Sequence, residues 1–225
     1  MAARIQGEPV PNWVARPLPP ATPLQGRYCR LERLELAAHS AGLADAFMQA
    51  PAETWAFLPY GPFTDIPAFT DWLAGVAAKP DPLFHTIINA KTNKPAGLAS
   101  LMRIDPANGV IEVGHIHFGP ALKQTPAATE AIFLLMCRVF DELGYRRLEW
   151  KCNALNEASR NAALRFGFTY EGTFRQAVIV KGRNRDTAWF SLLDSEWPVV
   201  KENFQRWLDP RNFDATGCQK SSLRA

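Results

Sequence analysis

Glu112 to Gly144 reads EVGHIHFGPALKQTPAATEAIFLLMCRVFDELG. It divides into a strand, Val110–Phe118, a tight connection, Gly119–Gln124, and a long helix, Thr125–Leu143. Thr125 is a side chain that caps a helix, and Pro126 suits the first helical position, where no amide hydrogen is needed. The helix interior (Ala131, Ile132, Leu134, Leu135, Met136, Val139, Phe140) is apolar on nearly every side, which predicts burial in a layered domain. Gly144 sits where a left-handed stop belongs. A strand running into a buried helix leaves unpaired amides at the helix N-terminus, a setting that favours an anion such as phosphate.

Bulk properties narrow the possibilities. The chain has 225 residues, 47% of them apolar, enough for one domain with a sizeable core plus arms. A formal charge of +3 is too small to argue for nucleic acid. The longest apolar run near the core helix, Ala131–Cys137, is far short of a membrane span. Met1–Val10 has no signal-peptide layout. The expectation is a cytoplasmic protein with no membrane and no nucleic-acid partner. The four cysteines (Cys29, Cys137, Cys152, Cys218) are scattered without metal-ligand spacing and read as free thiols. His115 and His117 share one side of a regular strand but lack a third ligand, so no metal is expected.

Outward from Glu112–Gly144, residues 1–25 form a proline-rich extended arm that Trp13 pins to the body. A first strand is predicted over 26–36 and a short helix over Ala41–Gln49. The loop Trp55–Phe63 carries aromatics broken by prolines, and a second helix spans Ile66–Ala78. Strands Leu83–Ala90, Ala96–Ile104 and Val110–Phe118 follow as antiparallel neighbours joined by short turns. After the long helix, Arg147–Asn153 is a strand parallel to Val110–Phe118, because the crossover runs through a helix. Asn156 caps a helix ended by Gly167. Strands Phe174–Val180 and Thr187–Leu193 flank a polar turn, Lys181–Asp186, and a last helix covers Ser195–Leu208. Residues 209–225 lack apolar periodicity and read as a mobile tail. The fold class is α+β: a mixed, mostly antiparallel central sheet with helices on both faces.

Four segments in this order resemble the GNAT superfamily of acetyl-CoA-dependent N-acetyltransferases, in particular its RimJ/RimL-like branch. Ile111–His115 is similar to the family's E-I-G-Y strand. Gln124–Thr129 stands where the family has R/Q-x-x-G-x-G/A. Asn156–Ser159 followed by Gly167-Phe168 resembles N-x-x-S/A ending in G-F, and Asp194–Pro198 resembles the tail motif of the branch. The resemblance covers Gly26 to Leu208. Ala127 and Thr129 replace glycines of the phosphate loop, Pro126 removes one donor, and Ala163 stands where many members carry a tyrosine.

The resemblance implies transfer of an acetyl group from acetyl-CoA to a primary amine, either a protein N-terminus or a small molecule. It implies a cofactor site at Phe118, Lys123, Gln124, Thr125, Ala127, Ala128, Thr129, Asn156 and Ser159. Ser159 is the candidate for contact with the thiol. For the base, Glu112 and His115 compete: a buried strand carboxylate would gain basicity, and a histidine is suited by its ordinary pKa. On a regular strand they fall on opposite faces, and a bulge would change that. Glu112 is the slightly preferred reading. The amine would enter past Trp55, Tyr60 and Phe63, and Arg175, Arg183, Arg185 and Asp186 of the last hairpin either shape that mouth or form a solvated turn cluster. A homodimer through the sheet edge or last hairpin is one arrangement considered. The alternatives are a non-catalytic acyl-CoA-binding module and an interaction domain.

Overall fold

The computed structural model describes residues 7–48 and 50–224. Its core is one eight-stranded sheet. In chain order the elements are β1 (Leu24–Gln25), β2 (Cys29–Arg33), α1 (Leu36–Phe47), α2 (Ile66–Ala77), β3 (Leu83–Asn89), β4 (Lys94–Asp105), β5 (Val110–Phe118) and α3 (Pro126–Cys137). Then come β6 (Arg147–Asn153), α4 (Glu157–Arg165), β7 (Thr169–Val180), β8 (Arg183–Leu193) and α5 (Trp197–Leu208). The strand order is β1-β2-β3-β4-β5-β6-β8-β7. Every neighbouring pair is antiparallel except β5–β6, which the α3 crossover makes parallel.

Each sheet face has its own core. Ile111, Val113, Leu148, Phe190 and Leu192 pack on one side with Ala131, Leu135 and Val139 of the α3 segment and Phe204 of α5. On the other side Phe84 and Leu98 meet Leu43 and Phe47 of α1, Phe69 and Leu73 of α2, and Trp55. The α+β layering with helices on both faces is therefore as the sequence predicts.

The long helix is capped as expected: Thr125 Oγ1 accepts from the Ala128 amide at 3.3 Å. It is α-helical only to Cys137 and closes through one π-helical turn, Arg138–Glu142, before Gly144 at φ +67°. The wider turn places Arg138 inward, 3% exposed, where its guanidinium donates to the carbonyls of Pro20 (3.2 Å) and Thr22 (2.9 Å) of the arm. The arm is held again at Trp13, whose Nε1 donates to Ala107 O at 2.7 Å beneath the Arg16 guanidinium. A segment with no core of its own is thus fastened by main-chain acceptors.

Other bounds shift for local reasons. The first helix begins at Leu36, ahead of the predicted Ala41, without a side-chain cap to announce it. The predicted end at Gln49 lies outside the described residues. The last hairpin turns on Lys181-Gly182 alone, both at positive φ, and its strands run through residues taken as a six-residue turn. β7 is an edge strand exposed along almost its whole length, so it carries no burial alternation. Residues 209–224 form a 3-10 turn at Pro210–Asn212 and a bridge between Phe213 and Gln219, and Leu223 is buried.

One contact ties the N-terminal strands to the crossover helix. Glu130, 5% exposed, accepts from the amides of Arg27 (2.9 Å), Tyr28 (2.6 Å) and Cys29 (2.8 Å). Hydrogen bonds to a charged group are the stronger kind, and their loss strands three donors. We expect Glu130→Ala to lower unfolding free energy by about 3 kcal/mol in denaturant titration. A loss below about 1 kcal/mol would show the contact to be dispensable.

Candidate active site

β5 and β6 pair from Val110↔Arg147 to Val113↔Trp150 and then part. β6 stays paired with β8 to Asn153, so β5 is the strand that leaves. Its departure is set by a bulge. Leu98 of β4 lies opposite His117 and Ser100 opposite Gly114, so His115 and Ile116 together face Ala99. His115 adopts φ 49°, and Ser100 Oγ donates to Gly114 O at 3.1 Å, fixing the irregularity. A Cβ at Gly114 would lie 2.6 Å from Met102 Sδ, so a larger residue would have to displace that side chain.

The fork opens on a cavity of about 590 Å³ whose wall includes Glu112, His115, Asn156 and Ser159. The bulge is why Glu112 and His115 share it. A second left-handed residue, Arg103 at φ 48°, bulges β4 on the same wall. The Asp81 carboxylate holds it there, accepting from the amides of Arg103 and Ile104 at 3.1 Å each.

Glu112 is 4% exposed, but it is an ion-paired carboxylate, not an isolated one. Its Oε2 meets Arg103 Nη1 at 2.8 Å and Lys151 Nζ at 2.9 Å. Lys151 also pairs with Glu149 at 2.7 Å and lies 3.8 Å over the Trp189 ring. Glu149 continues to Arg147, and Arg147 to Glu171. Hydrogen bonding to Arg147 pulls the Glu171 carboxyl down to about 2.

His115 is neutral at physiological pH. Burial, aided by the charges of Arg103 and Arg185, pushes its pKa down to about 4. Its Nδ1 is 3.3 Å from Tyr60 Oη, and burial holds that phenol above its ordinary pKa, so the hydroxyl keeps its proton. Ser159 stands in the first turn of α4, where Asn156 Oδ1 caps the Ser159 amide at 3.0 Å. Its hydroxyl accepts from Trp150 Nε1 at 3.0 Å, leaving its own O–H to donate.

At the start of α3, the amides of Lys123, Thr125, Ala128 and Thr129 are bonded within the loop and first turn. Among the described residues, those of Gln124 and Ala127 have no protein acceptor. The side chains of Lys123 and Gln124 are exposed, and Phe118 is half-buried at the strand end. This loop leaves the open end of the fork and lies beyond the cavity wall.

The aromatics predicted at the mouth divide. Tyr60 reaches His115, whereas Trp55 and Phe63 pack edge to face in the α1/α2 core. Their place on the wall is taken by Phe57, Leu58 and Pro59 of the same loop. Arg175 is exposed on β7 and does not line the cavity, while Arg185 does. Sequence reasoning had missed Arg103, whose aim depends on a bulge that no residue pattern announces.

Residues 30–169 match the family profile described as Acetyltransferase (GNAT) domain. A solved structure from Brucella melitensis, a GCN5-related N-acetyltransferase, superposes with a TM-score of 0.94 at 50% identity, covering 95% of this chain and 97% of that one. Another from Chromobacterium violaceum, a probable GNAT-family acetyltransferase, gives 0.81 at 41% identity over 88% and 99%. The Bacillus subtilis protein named "Putative ribosomal N-acetyltransferase YdaF" is 32% identical over 105 residues, 47% of this chain and 57% of that protein's length. The last of these agrees with the RimJ/RimL-like placement read from the sequence.

The buried histidines carry a pH prediction. Burial pushes His85, His115 and His117 each down to about 4. The unfolded chain, with histidines near 6.5, binds more protons than the folded one between about pH 6.5 and 4. Stability should be complete above that window and fall as pH drops through it. His117 stacks on Phe47 at 4.2 Å, and neither of its ring nitrogens has a partner. His117→Phe should flatten the fall in Tm with acid; an unchanged slope would contradict this origin.

Proposed function

The chain belongs to the GNAT acetyltransferase family, and on that premise we propose that it transfers the acetyl group of acetyl-CoA to a primary amine, a protein N-terminus or a small-molecule amine, by direct attack within a ternary complex. The observation that carries this reading is the fork between β5 and β6, with Glu112, His115 and Ser159 on one cavity and two spare amides beyond its open end.

The residues present fit acetyl-CoA. The Gln124 and Ala127 amides at a helix N-terminus suit a diphosphate and cost no side-chain entropy. The parted edges of β5 and β6 offer main-chain groups to the pantetheine amides, as a sheet edge does to an extended peptide. When bound, acetyl-CoA supplies an activated thioester.

The protein's own groups then have distinct tasks. The Oε2 of Glu112 is occupied by two cations, while Oε1 lies on the Gly114 side, open to a proton from the amine directly or through water. Glu112 is the base in this reading. With Tyr60 donating to Nδ1, His115 carries its proton on Nε2 and acts as a neutral donor at the cavity wall. The Ser159 hydroxyl, oriented by Trp150 Nε1 and beside the Cys152 thiol, turns its O–H to the departing thiolate.

We expect Glu112→Gln to lower kcat/KM by about 10²–10³ while acetyl-CoA still binds, and Ser159→Ala to lower kcat about tenfold. Near-normal turnover in Glu112→Gln would remove Glu112 as base. Because His115 stays neutral down to about 4, the rise of rate with pH above 6 should follow the acceptor's own amine. A limb near 6.5 that His115→Phe abolishes would contradict this.

A further inference from the structure

The charge ladder across the open sheet face closes on itself. Arg103, Lys151 and Arg147 are matched by Glu112, Glu149 and Glu171, three cations against three carboxylates. Arg185 stands outside that balance. It alternates along β8 with Thr187 and Trp189, and Trp189 pairs with Lys151, so Arg185 projects from the same face. It is half-buried on the cavity wall with Glu112 and His115.

Among the described residues, no carboxylate lies within 4.0 Å of it, and its Nε is buried without an acceptor. The adjacent acid, Asp186, is occupied elsewhere, accepting from the Gln176 amide at 2.8 Å and Asn184 Nδ2 at 2.9 Å. Glu53, also on the wall, is exposed and outside pairing distance. Glu112 attracts Arg185 from across the wall but is already held by Arg103 and Lys151. A half-buried guanidinium with an unfilled Nε is costly, and an anionic ligand reduces that cost. A guanidinium also presents a fork of donors that fits carboxylate and phosphate oxygens.

We propose that the acceptor amine carries an anionic group, a carboxylate or a phosphate, and that Arg185 receives it. This rests on the acetyl-transfer reading above and names the class of acceptor. Amine and anion must lie close together in one molecule, since Glu112 and Arg185 line one cavity of about 590 Å³. Val178 and Val180 of β7 and Phe57 and Leu58 of the aromatic loop supply apolar walls for the atoms between.

The test uses the full chain, acetyl-CoA and matched acceptors differing by one anionic group: ethanolamine phosphate against ethanolamine, β-alanine against β-alaninamide, and Asp-initiated against Asn-initiated tripeptides. The acidic member of at least one pair should have the higher kcat/KM, by about tenfold or more. The pairs separate phosphate from carboxylate and free amino acid from peptide. Arg185→Gln should erase the ratio chiefly through KM, and Arg185→Lys should keep part of it. Equal use of both members, or loss of rate on both alike in Arg185→Gln, overturns this inference and leaves acetyl transfer standing. Turnover of no amine, with acetyl-CoA shown to bind, overturns the reaction itself and this inference with it.

Discussion

The parting of β5 from β6 is the constraint from which the rest of the site follows. Two strands that pair at Val113 and Trp150 would ordinarily continue as far as their lengths allow. The extra residue at His115 prevents it, and the cost is a left-handed backbone at a residue with a β-carbon. Three consequences come together. Main-chain groups stay unpaired along the fork. Side chains three apart in sequence, Glu112 and His115, reach one cavity. And β5 delivers the chain at the open end of the fork, where α3 presents its N-terminus.

The surroundings oppose relaxation of this arrangement. Ser100 bonds the bulge, Gly114 lets Met102 approach, and Phe84 and Tyr60 pack against the His115 ring. On the cavity wall and in the ladder that runs from it, the ions are tolerable because each carboxylate meets two cations or a cation and a hydroxyl. Removing Lys151 would take one of two cations from both Glu112 and Glu149, a loss that weighs most on the buried Glu112. The arm and the Glu130 anchor act further away, holding β1, β2 and the crossover helix so that the fork's two strands keep their relative place.

Much of this was legible in the residues. The bounds of Val110–Phe118 and Arg147–Asn153 coincide with observed strands, because both are buried and their apolar positions are unambiguous. Thr125 and Pro126 announced the start of α3 by chemistry that operates within one turn. The sharing of a cavity by Glu112 and His115 could be stated only as a condition, since a bulge at a histidine depends on the register with β4. In the sequence, Arg185 stands as a candidate for the mouth together with Arg175, Arg183 and Asp186, but as part of a turn cluster, which is more often solvated. Reading Lys181–Asp186 as a turn placed it in solvent, whereas the two-residue turn puts it in β8, alternating with Thr187 and Trp189 over the cavity. The exposed edge strand β7 gave no periodicity from which to correct that.

A crystal structure of the protein with acetyl-CoA would show whether the fork and the α3 terminus together hold it. Diphosphate oxygens are expected within hydrogen-bonding reach of the Gln124 and Ala127 amides, pantetheine between β5 and β6 beyond Val113, and the sulfur beside Ser159. Acetyl-CoA bound elsewhere, or a diphosphate held without those two amides, would contradict this arrangement.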